Sequence, residues 1–173
     1  RSVSAFLLNR SSDLRLLRND NRQLGRTGIK VGAVALGCEG FTGKTEQQAR
    51  EMMDFAISNG INFIDIYASD PKVRSAIGTS LRGRRDGFVI QGHIGSAWKN
   101  GQYERTRDVA EAKASFEDLL NRLETDHIEV GMIIGDEEAD YHRIFEGEFI
   151  EYVKSLKESG TIGCIGLSSH NPI

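Results

Sequence analysis

The sequence lacks the features that would direct it to a membrane or to a nucleic acid. None of its apolar runs approaches the roughly 20 residues that a membrane-spanning helix needs. The formal net charge is −3, from 22 basic and 25 acidic residues, so there is no basic excess for binding a polyanion. We therefore expect a cytoplasmic protein with no membrane partner and no nucleic-acid partner.

Cysteine and proline are also scarce. The two cysteines, Cys38 and Cys164, are too far apart along the chain to match a metal-binding or redox spacing. We expect both thiols to be reduced and buried, and we predict no metal site. Two prolines stand against 19 glycines, a composition suited to many short turns between regular elements.

The first 21 residues differ in composition from the rest of the chain. They are rich in Ser, Arg, Asn and Leu, and Asp13 and Asp20 argue against a transit peptide. We interpret residues 1–21 as a terminal extension, disordered in part, and residues 22–173 as one domain with its own core.

From residue 22 onward, predicted strands alternate with predicted helices. A hairpin with glycines at its turn is predicted over residues 22–31. Four helices, the first beginning at a Thr45-x-x-Gln48 capping box, separate the strands that follow. Five apolar runs are typical of strands buried on both faces, over residues 31–37, 61–66, 88–94, 128–134 and 161–169.

This alternation predicts parallel strands joined by helical crossovers. An open doubly wound sheet and part of an eight-stranded barrel both fit, although no Gly-x-Gly-x-x-Gly follows the first strand to form a phosphate-binding turn. Either architecture gathers polar side chains at the carboxyl ends of its strands. Seven polar residues fall at such ends: Glu39, Asp65, His93, Asp136, Ser168, Ser169 and His170.

The segment between the third strand and the next helix, residues 95–106, is predicted to be a loop. Lys99 and Arg105 in this loop, and Arg107 just after it, accompany Trp98 and Tyr103. The three cations could bind an anionic group or form a solvated surface, and we favour the solvated surface.

Several segments resemble motifs of the aldo-keto reductase family in the correct order. The resemblance implies an α/β fold of the TIM (β/α)₈-barrel type, truncated after about five strands, with an N-terminal β-hairpin. The segments that carry it are Arg22–Cys38, Gly60–Asp65, Arg85–Gln91, Leu119–Val130 and Lys157–Ser168.

The resemblance implies hydride transfer between NAD(P)H and a small-molecule carbonyl or alcohol, assisted by a tetrad of Asp, Tyr, Lys and His. Asp65 matches the family's Asp. The Tyr position falls on Asp70, the Lys position on His93 and the His position on Ile134. The implied tetrad is therefore degenerate, and Asp65 and His93 are the catalytic candidates. Tyr67 stands at a different register and is not assigned to the site.

The resemblance also implies a cofactor site for NADP, or NAD, at the mouth of the barrel. Gly37, Asp65, Ser168 and Ser169 match its nicotinamide end, and we expect Asp65, His93 and Ser168 to converge there. Residues 91–108 resemble a clostridial-type branch whose members often carry an iron–sulfur segment. Without a cysteine cluster here, such a segment is possible only in sequence beyond this chain.

Three functional hypotheses follow from these assignments. The first is an oxidoreductase of the aldo-keto reductase family, with this chain alone inactive. The others are a catalytically silent scaffold or regulatory subunit, and an inactive fragment. A barrel of five strands leaves an open edge, so we also expect self-association through the fifth strand.

Overall fold

The computed structural model describes residues 21–135 and 138–170. The predicted extension before Asn21 lies outside these residues, and its boundary at residue 21 stays a prediction. Asp136, one of the predicted strand-end residues, also lies outside them. No helix of the described chain is long and apolar enough to cross a membrane.

The described chain consists of short strands and helices in regular alternation. The strands are β1 (Asn21–Gln23), β2 (Lys30–Gly32), β3 (Leu36–Gly37), β4 (Phe63–Ile66), β5 (Val89–Ile94), β6 (Ser96–Lys99), β7 (Gln102–Arg105), β8 (Ile128–Ile134) and β9 (Ile162–Ser168). The helices are α1 (Glu46–Ser58), α2 (Pro71–Leu81), α3 (Val109–Leu123), α4 (Glu138–Phe145) and α5 (Glu148–Glu158).

The main sheet has five parallel strands that follow one another in chain order, β3-β4-β5-β8-β9. This order confirms the prediction of a barrel segment, since a doubly wound sheet reverses its order partway. It also brings the carboxyl ends of all five strands to one side, where a barrel carries its functional groups.

The N-terminal hairpin closes the opposite end of the sheet. Strands β1 and β2 pair antiparallel, and Asn62, just before β4, holds the second of them. The Asn62 side chain accepts a hydrogen bond from Gly32 N at 2.8 Å and donates one to Lys30 O at 3.3 Å. The hairpin therefore caps the amino end of the sheet, as predicted.

Side-chain caps mark the first residues of α1 and α3. Thr45 and Gln48 form the predicted capping box of α1, in which the Thr45 hydroxyl accepts from Gln48 N at 3.2 Å. Asp108 caps α3 by accepting from Glu111 N at 2.9 Å. These bonds satisfy amide donors that have no partner within the helix.

One continuous core lies between the sheet and the helices. Close packing of α2 on α3 depends on Gly78, where an added Cβ would stand 1.9 Å from Arg122 O. The largest fully buried side chains are Phe41, Phe149, Met53, Ile64, Ile66, Ile77, Leu81, Ile90, Ile94, Leu119, Ile128 and Ile133.

Three predicted elements differ from the structure. The first barrel strand is only Leu36–Gly37, because Val31 and Gly32 belong to the hairpin held by Asn62. The predicted loop over residues 95–106 is mostly a second antiparallel hairpin, β6–β7. A short helix, α4, precedes α5, where only one helix was predicted.

Candidate functional site

The carboxyl ends of β4 and β5 bring two candidate residues together. Asp65 lies on β4, and its side chain is 33% exposed to solvent. His93 lies near the end of β5, and its imidazole is almost fully buried. His93 Nε2 and Asp65 Oδ1 are 3.0 Å apart, which is hydrogen-bond distance. The structure thus pairs the two residues that the resemblance named as catalytic candidates.

This pair leaves one imidazole nitrogen without a partner. An ionised Asp65 carboxylate can only accept a hydrogen bond, and the imidazole tautomer with its hydrogen on Nε2 is the one that donates to it. His93 Nδ1 is buried and has no hydrogen-bond partner in the described chain. Such a nitrogen either carries a proton that it can donate or offers a lone pair that can accept one. The pair is therefore equipped for proton transfer at Nδ1.

Tyr67, which the sequence reasoning left out, packs directly on this pair. Its ring meets the His93 ring edge-on, with centroids 5.1 Å apart and an interplanar angle of 83°. On its other side the centroid of the Tyr103 ring is 5.0 Å away. The sequence comparison set Tyr67 aside because the family's Tyr position falls on Asp70, and a match of positions along the chain says nothing about which ring packs on His93.

Tyr103 reaches the site because residues 96–105 form a hairpin. Asn100 and Gly101, at its turn, have φ values of 51° and 80°. Positive φ at both central residues is the geometry of a type I′ turn, which favours Asn-Gly. The hairpin could therefore have been predicted from the Asn100-Gly101 pair in the sequence.

Asp70, at the family's Tyr position, serves a structural purpose here. Its carboxylate accepts a hydrogen bond from Lys72 N at 2.8 Å and caps α2, with Pro71 at the first helical position. Ile134, at the family's His position, is a buried apolar residue. Neither residue supplies a titratable group to the Asp65–His93 pair.

The residues assigned to the cofactor lie on three different strands. Gly37 on β3 is in register with Asp65, and a Cβ added to Gly37 would meet nothing within 4 Å. Ser168 ends β9 and is in register with Ile134 of β8, which separates it from β5. The structure therefore places Ser168 at the same end of the sheet as the Asp65–His93 pair, two strands away from His93. Ser169 follows it at the surface.

Neither cysteine thiol is a candidate nucleophile. Cys38 is fully buried, and burial, assisted by the charge of Asp65, raises the pKa of its thiol. Cys164, on β9, is half-buried rather than buried as predicted, and burial also raises its pKa. Both cysteines are free, and a thiol that stays protonated is a poor nucleophile. Among residues 21–135 and 138–170, no cluster of His, Cys, Asp and Glu could hold a metal ion.

The three cations of the predicted loop are paired with carboxylates. Lys99 Nζ lies 2.6 Å from Glu111 Oε1. Arg105 and Arg107 both approach Asp140 Oδ2, at 3.6 and 3.5 Å. Burial lowers the pKa of the Arg107 guanidinium, which packs over the Phe149 ring and donates to Ile134 O. These ion pairs join the hairpin to α3 and α4, so the segment is not the freely solvated loop that was expected.

Comparisons with known proteins agree with the parallel barrel segment. The family model for the aldo/keto reductase family matches residues 28–173. The chain therefore belongs to the aldo/keto reductase family, which confirms the resemblance.

Individual relatives are longer than the part of them that this chain matches. It is 29% identical over 155 residues to YqkF, an uncharacterized oxidoreductase of Bacillus subtilis strain 168, covering 87% of this chain and 49% of YqkF. The crystal structure of PA4992 from Pseudomonas aeruginosa superposes with a TM-score of 0.78 at 32% identity, covering 88% of this chain and 61% of that one. The holo form of the aldo-keto reductase AKR11C1 from Bacillus halodurans gives a TM-score of 0.76 at 29% identity, covering 88% and 51%. The chain thus spans about half the length of the curated relatives it matches.

Proposed function

We propose that the protein carrying this chain is an NAD(P)H-dependent oxidoreductase acting on a carbonyl or alcohol at the mouth of the sheet. In this proposal the Asp65–His93 pair moves the proton. One observation carries the proposal: His93 Nε2 lies 3.0 Å from Asp65 Oδ1 while His93 Nδ1 is buried without a partner. Family membership supports the class of reaction.

The proposed chemistry divides hydride and proton between the cofactor and the protein. A bound nicotinamide cofactor supplies or accepts the hydride. In the proposed step, Asp65 accepts from Nε2–H and so orients the imidazole, and a proton on Nδ1 passes to the carbonyl oxygen. In alcohol oxidation the same nitrogen takes the proton back. Asp65 acts as the group that orients the ring.

The residues at the mouth fit the nicotinamide end of such a cofactor. Gly37 leaves open space beside Asp65, and Ser168 supplies a half-buried hydroxyl at the same end of the sheet. We propose that Gly37, Asp65, Ser168 and Ser169 hold this end of NADP, or of NAD. An iron–sulfur cluster would need ligands from other sequence, because Cys38 and Cys164 lie on separate elements of the described chain.

A second candidate function is a catalytically silent member of the family. It is favoured by the helix-capping role of Asp70 and by the apolar Ile134, which remove two of the four implied catalytic groups. A silent scaffold would keep the fold and would show no turnover that depends on His93. We also expect the 173-residue chain by itself to be inactive.

A His93→Gln variant separates the two candidates in the full protein that carries this chain. Reduction of 4-nitrobenzaldehyde would be followed with NADPH and with NADH. We expect His93→Gln to lower kcat by about 10²- to 10⁴-fold, the usual contribution of general acid catalysis. His142→Gln, which alters an exposed histidine on α4, serves as the control and should keep the native rate. A native protein that shows no turnover would support the silent scaffold, and a full rate in His93→Gln would exclude His93 as the proton donor.

We further propose that the isolated chain self-associates through the β9 edge. In the described sheet, β9 pairs only with β8, and Leu167 on it is 58% exposed. An unpaired strand with an exposed apolar residue is a template for pairing with a second copy of the chain. Sedimentation of the 173-residue chain at micromolar concentration should show dimers or larger species, and Leu167→Lys should shift them toward monomer. A native chain that sediments as a monomer would contradict this proposal.

A further inference from the structure

A cleft of about 450 Å³ lies at the surface of the helix layer, between α1, α2 and α3. It is bounded by the first residues of α1, by one face of α2 and by the Arg122 side chain of α3. On α2 the lining residues Lys72, Ser75 and Thr79 are spaced three and four positions apart, which places them on one side of the helix. Neither Asp65 nor His93 lines this cleft, so it is separate from the candidate site at the mouth.

The cleft carries an excess of positive charge. Three cations, Lys44, Lys72 and Arg122, line it against a single carboxylate, that of Glu46. The Asp70 carboxylate caps α2 but is not among the lining groups. By contrast, the larger cleft beside the β6–β7 hairpin is lined by three arginines and three carboxylates, so its charges balance. A concave surface with more cations than carboxylates attracts an anion.

The two lysines of the cleft are not neutralised by the described chain. Lys44 and Lys72 are exposed, and neither forms an ion pair with Glu46 or with any other described residue. Lys99 and Lys154, which lie elsewhere, each pair with a glutamate. The charges of Lys44 and Lys72 are therefore available to a ligand.

Arg122 is held in the cleft with one donor group left over. Its Nε donates to Asp118 Oδ1 at 2.7 Å, and its Nη1 donates to Ser75 Oγ at 2.8 Å. These two bonds fix the guanidinium against α2, while Nη2 makes no hydrogen bond within the described chain. Asp118 also pairs with Arg74, at 3.0 Å, so it offsets the charge of Arg122 only in part. A guanidinium fixed in this way presents its remaining donor to an anion at little cost in entropy.

The amino ends of two helices add to this positive field. Thr45 is the N-cap of α1, which has 13 residues, and Pro71 is the first residue of α2, which has 11. Both residues line the cleft, and the amino end of a helix carries a partial positive charge. Ser75 and Thr79, half-buried on α2, contribute hydroxyl groups that can donate hydrogen bonds.

We propose that this cleft binds the phosphate group of a small molecule. The proposal does not depend on the oxidoreductase function proposed above. Phosphate oxygens accept hydrogen bonds from ammonium, guanidinium and hydroxyl groups at once, and the charge of the phosphate offsets the excess positive charge of the lining. In this site Lys44 and Lys72 supply mobile point charges, and Arg122 supplies a fixed donor.

Calorimetric titration of inorganic phosphate into the full protein that carries this chain tests the proposal. We expect saturable binding to the native protein and about tenfold weaker binding to a Lys44→Gln, Lys72→Gln double variant, which loses two charge contacts. A Lys113→Gln, Lys154→Gln double variant has the same change in net charge, on α3 and α5, and should keep the native affinity. All four lysines are exposed, so these substitutions should leave the fold intact.

Acetylation by acetic anhydride, followed by mass spectrometry of peptides, locates the bound phosphate. Saturating phosphate should slow the acetylation of Lys44 and Lys72 and leave that of Lys154 unchanged. The proposal would be overturned by equal phosphate affinity in the native protein and the Lys44→Gln, Lys72→Gln variant, by unprotected lysines, or by a native protein that binds no phosphate. Aldehyde reduction that depends on His93 would still be expected after each of these results, so the proposed function would stand.

A second titration, with glycerol 3-phosphate, distinguishes the source of the phosphate group. Tighter binding of this ester than of inorganic phosphate would assign the cleft to phosphate esters, and the reverse order would assign it to the free anion. Either order supports the proposal only if the Lys44→Gln, Lys72→Gln variant weakens the binding, and an ester affinity that this variant leaves unchanged would contradict it.

Discussion

Arg74 and His93 are both almost completely buried, yet their surroundings differ. The Arg74 guanidinium, between α2 and α3, donates to Ala68 O at 3.3 Å, Ser115 O at 2.8 Å and Asp118 Oδ2 at 3.0 Å, and also reaches Ser96 O. The His93 imidazole makes a single hydrogen bond, to Asp65. The Arg74 guanidinium thus has several hydrogen-bond partners, whereas His93 Nδ1 has none in the described chain.

This difference separates a structural polar group from a candidate functional one. Five buried side-chain N or O atoms of the described chain have no hydrogen-bond partner: Arg85 Nε, His93 Nδ1, Ser96 Oγ, Tyr103 Oη and Arg107 Nε. Four of the five lie between residues 93 and 107, in the segment that runs from β5 through the β6–β7 hairpin. Unpaired buried polar groups are rare in native proteins, so their concentration in one segment favours a binding role for it.

The largest expected effect is on Arg74. Arg74→Met would remove a charged donor from three backbone carbonyls, while Asp118 would keep its ion pair with Arg122. We expect the free energy of unfolding to fall by about 2 kcal/mol, because buried carbonyl oxygens lose a charged hydrogen-bond partner. Chemical denaturation would measure the loss. Arg82→Met, which breaks an exposed ion pair with Glu124, is the matched control and should leave the free energy of unfolding almost unchanged. Equal losses in both variants would mean that burial does not distinguish these arginines.

A smaller effect is expected from Asp70→Ala. The substitution removes the N-cap of α2 and should lower the free energy of unfolding by about 1 kcal/mol. Because Asp70 touches neither His93 nor Tyr67 by any described hydrogen bond, kcat of the full protein and its pH profile should stay native. A change in the pH profile would show that Asp70 takes part in proton transfer after all.

The smallest effect on stability is expected at His93 itself. In His93→Gln the new amide can still donate to Asp65, so the free energy of unfolding should change by less than about 1 kcal/mol. The same denaturation series used for Arg74 provides the measurement. A loss as large as that of Arg74→Met would indicate that His93 is a structural residue, and the comparison between the two sites would fail.

Much of the fold followed from patterns along the chain. The apolar run Ile128–Ile134 is β8 with the predicted bounds, and the Thr45–Gln48 capping box starts α1. These elements were predictable because backbone hydrogen bonding and hydrophobic periodicity act over a few residues. The pairing of Asp65 with His93 could be anticipated for a related reason, since parallel neighbouring strands place their carboxyl ends side by side.

Local signals for two further features were present in the sequence but were not used. Asp70-Pro71 is an N-cap followed by proline at the first helical position, which predicts that α2 starts at Pro71. Asn100-Gly101 predicts the turn of the β6–β7 hairpin, a segment that was treated as a loop.

The sequence by itself determined the order of strands and helices, the barrel class and the Asp65–His93 pair. Only the tertiary structure brought Tyr67 and Tyr103 together, because the two residues are 36 positions apart along the chain, with α2, β5 and β6 between them, and no local pattern relates the two rings. Only the tertiary structure likewise brought Arg74 to its partners, which are Ala68 before β6, Ser96 on β6 and Ser115 after it. Contacts between distant segments depend on how whole elements pack, and short-range periodicity carries no information about them.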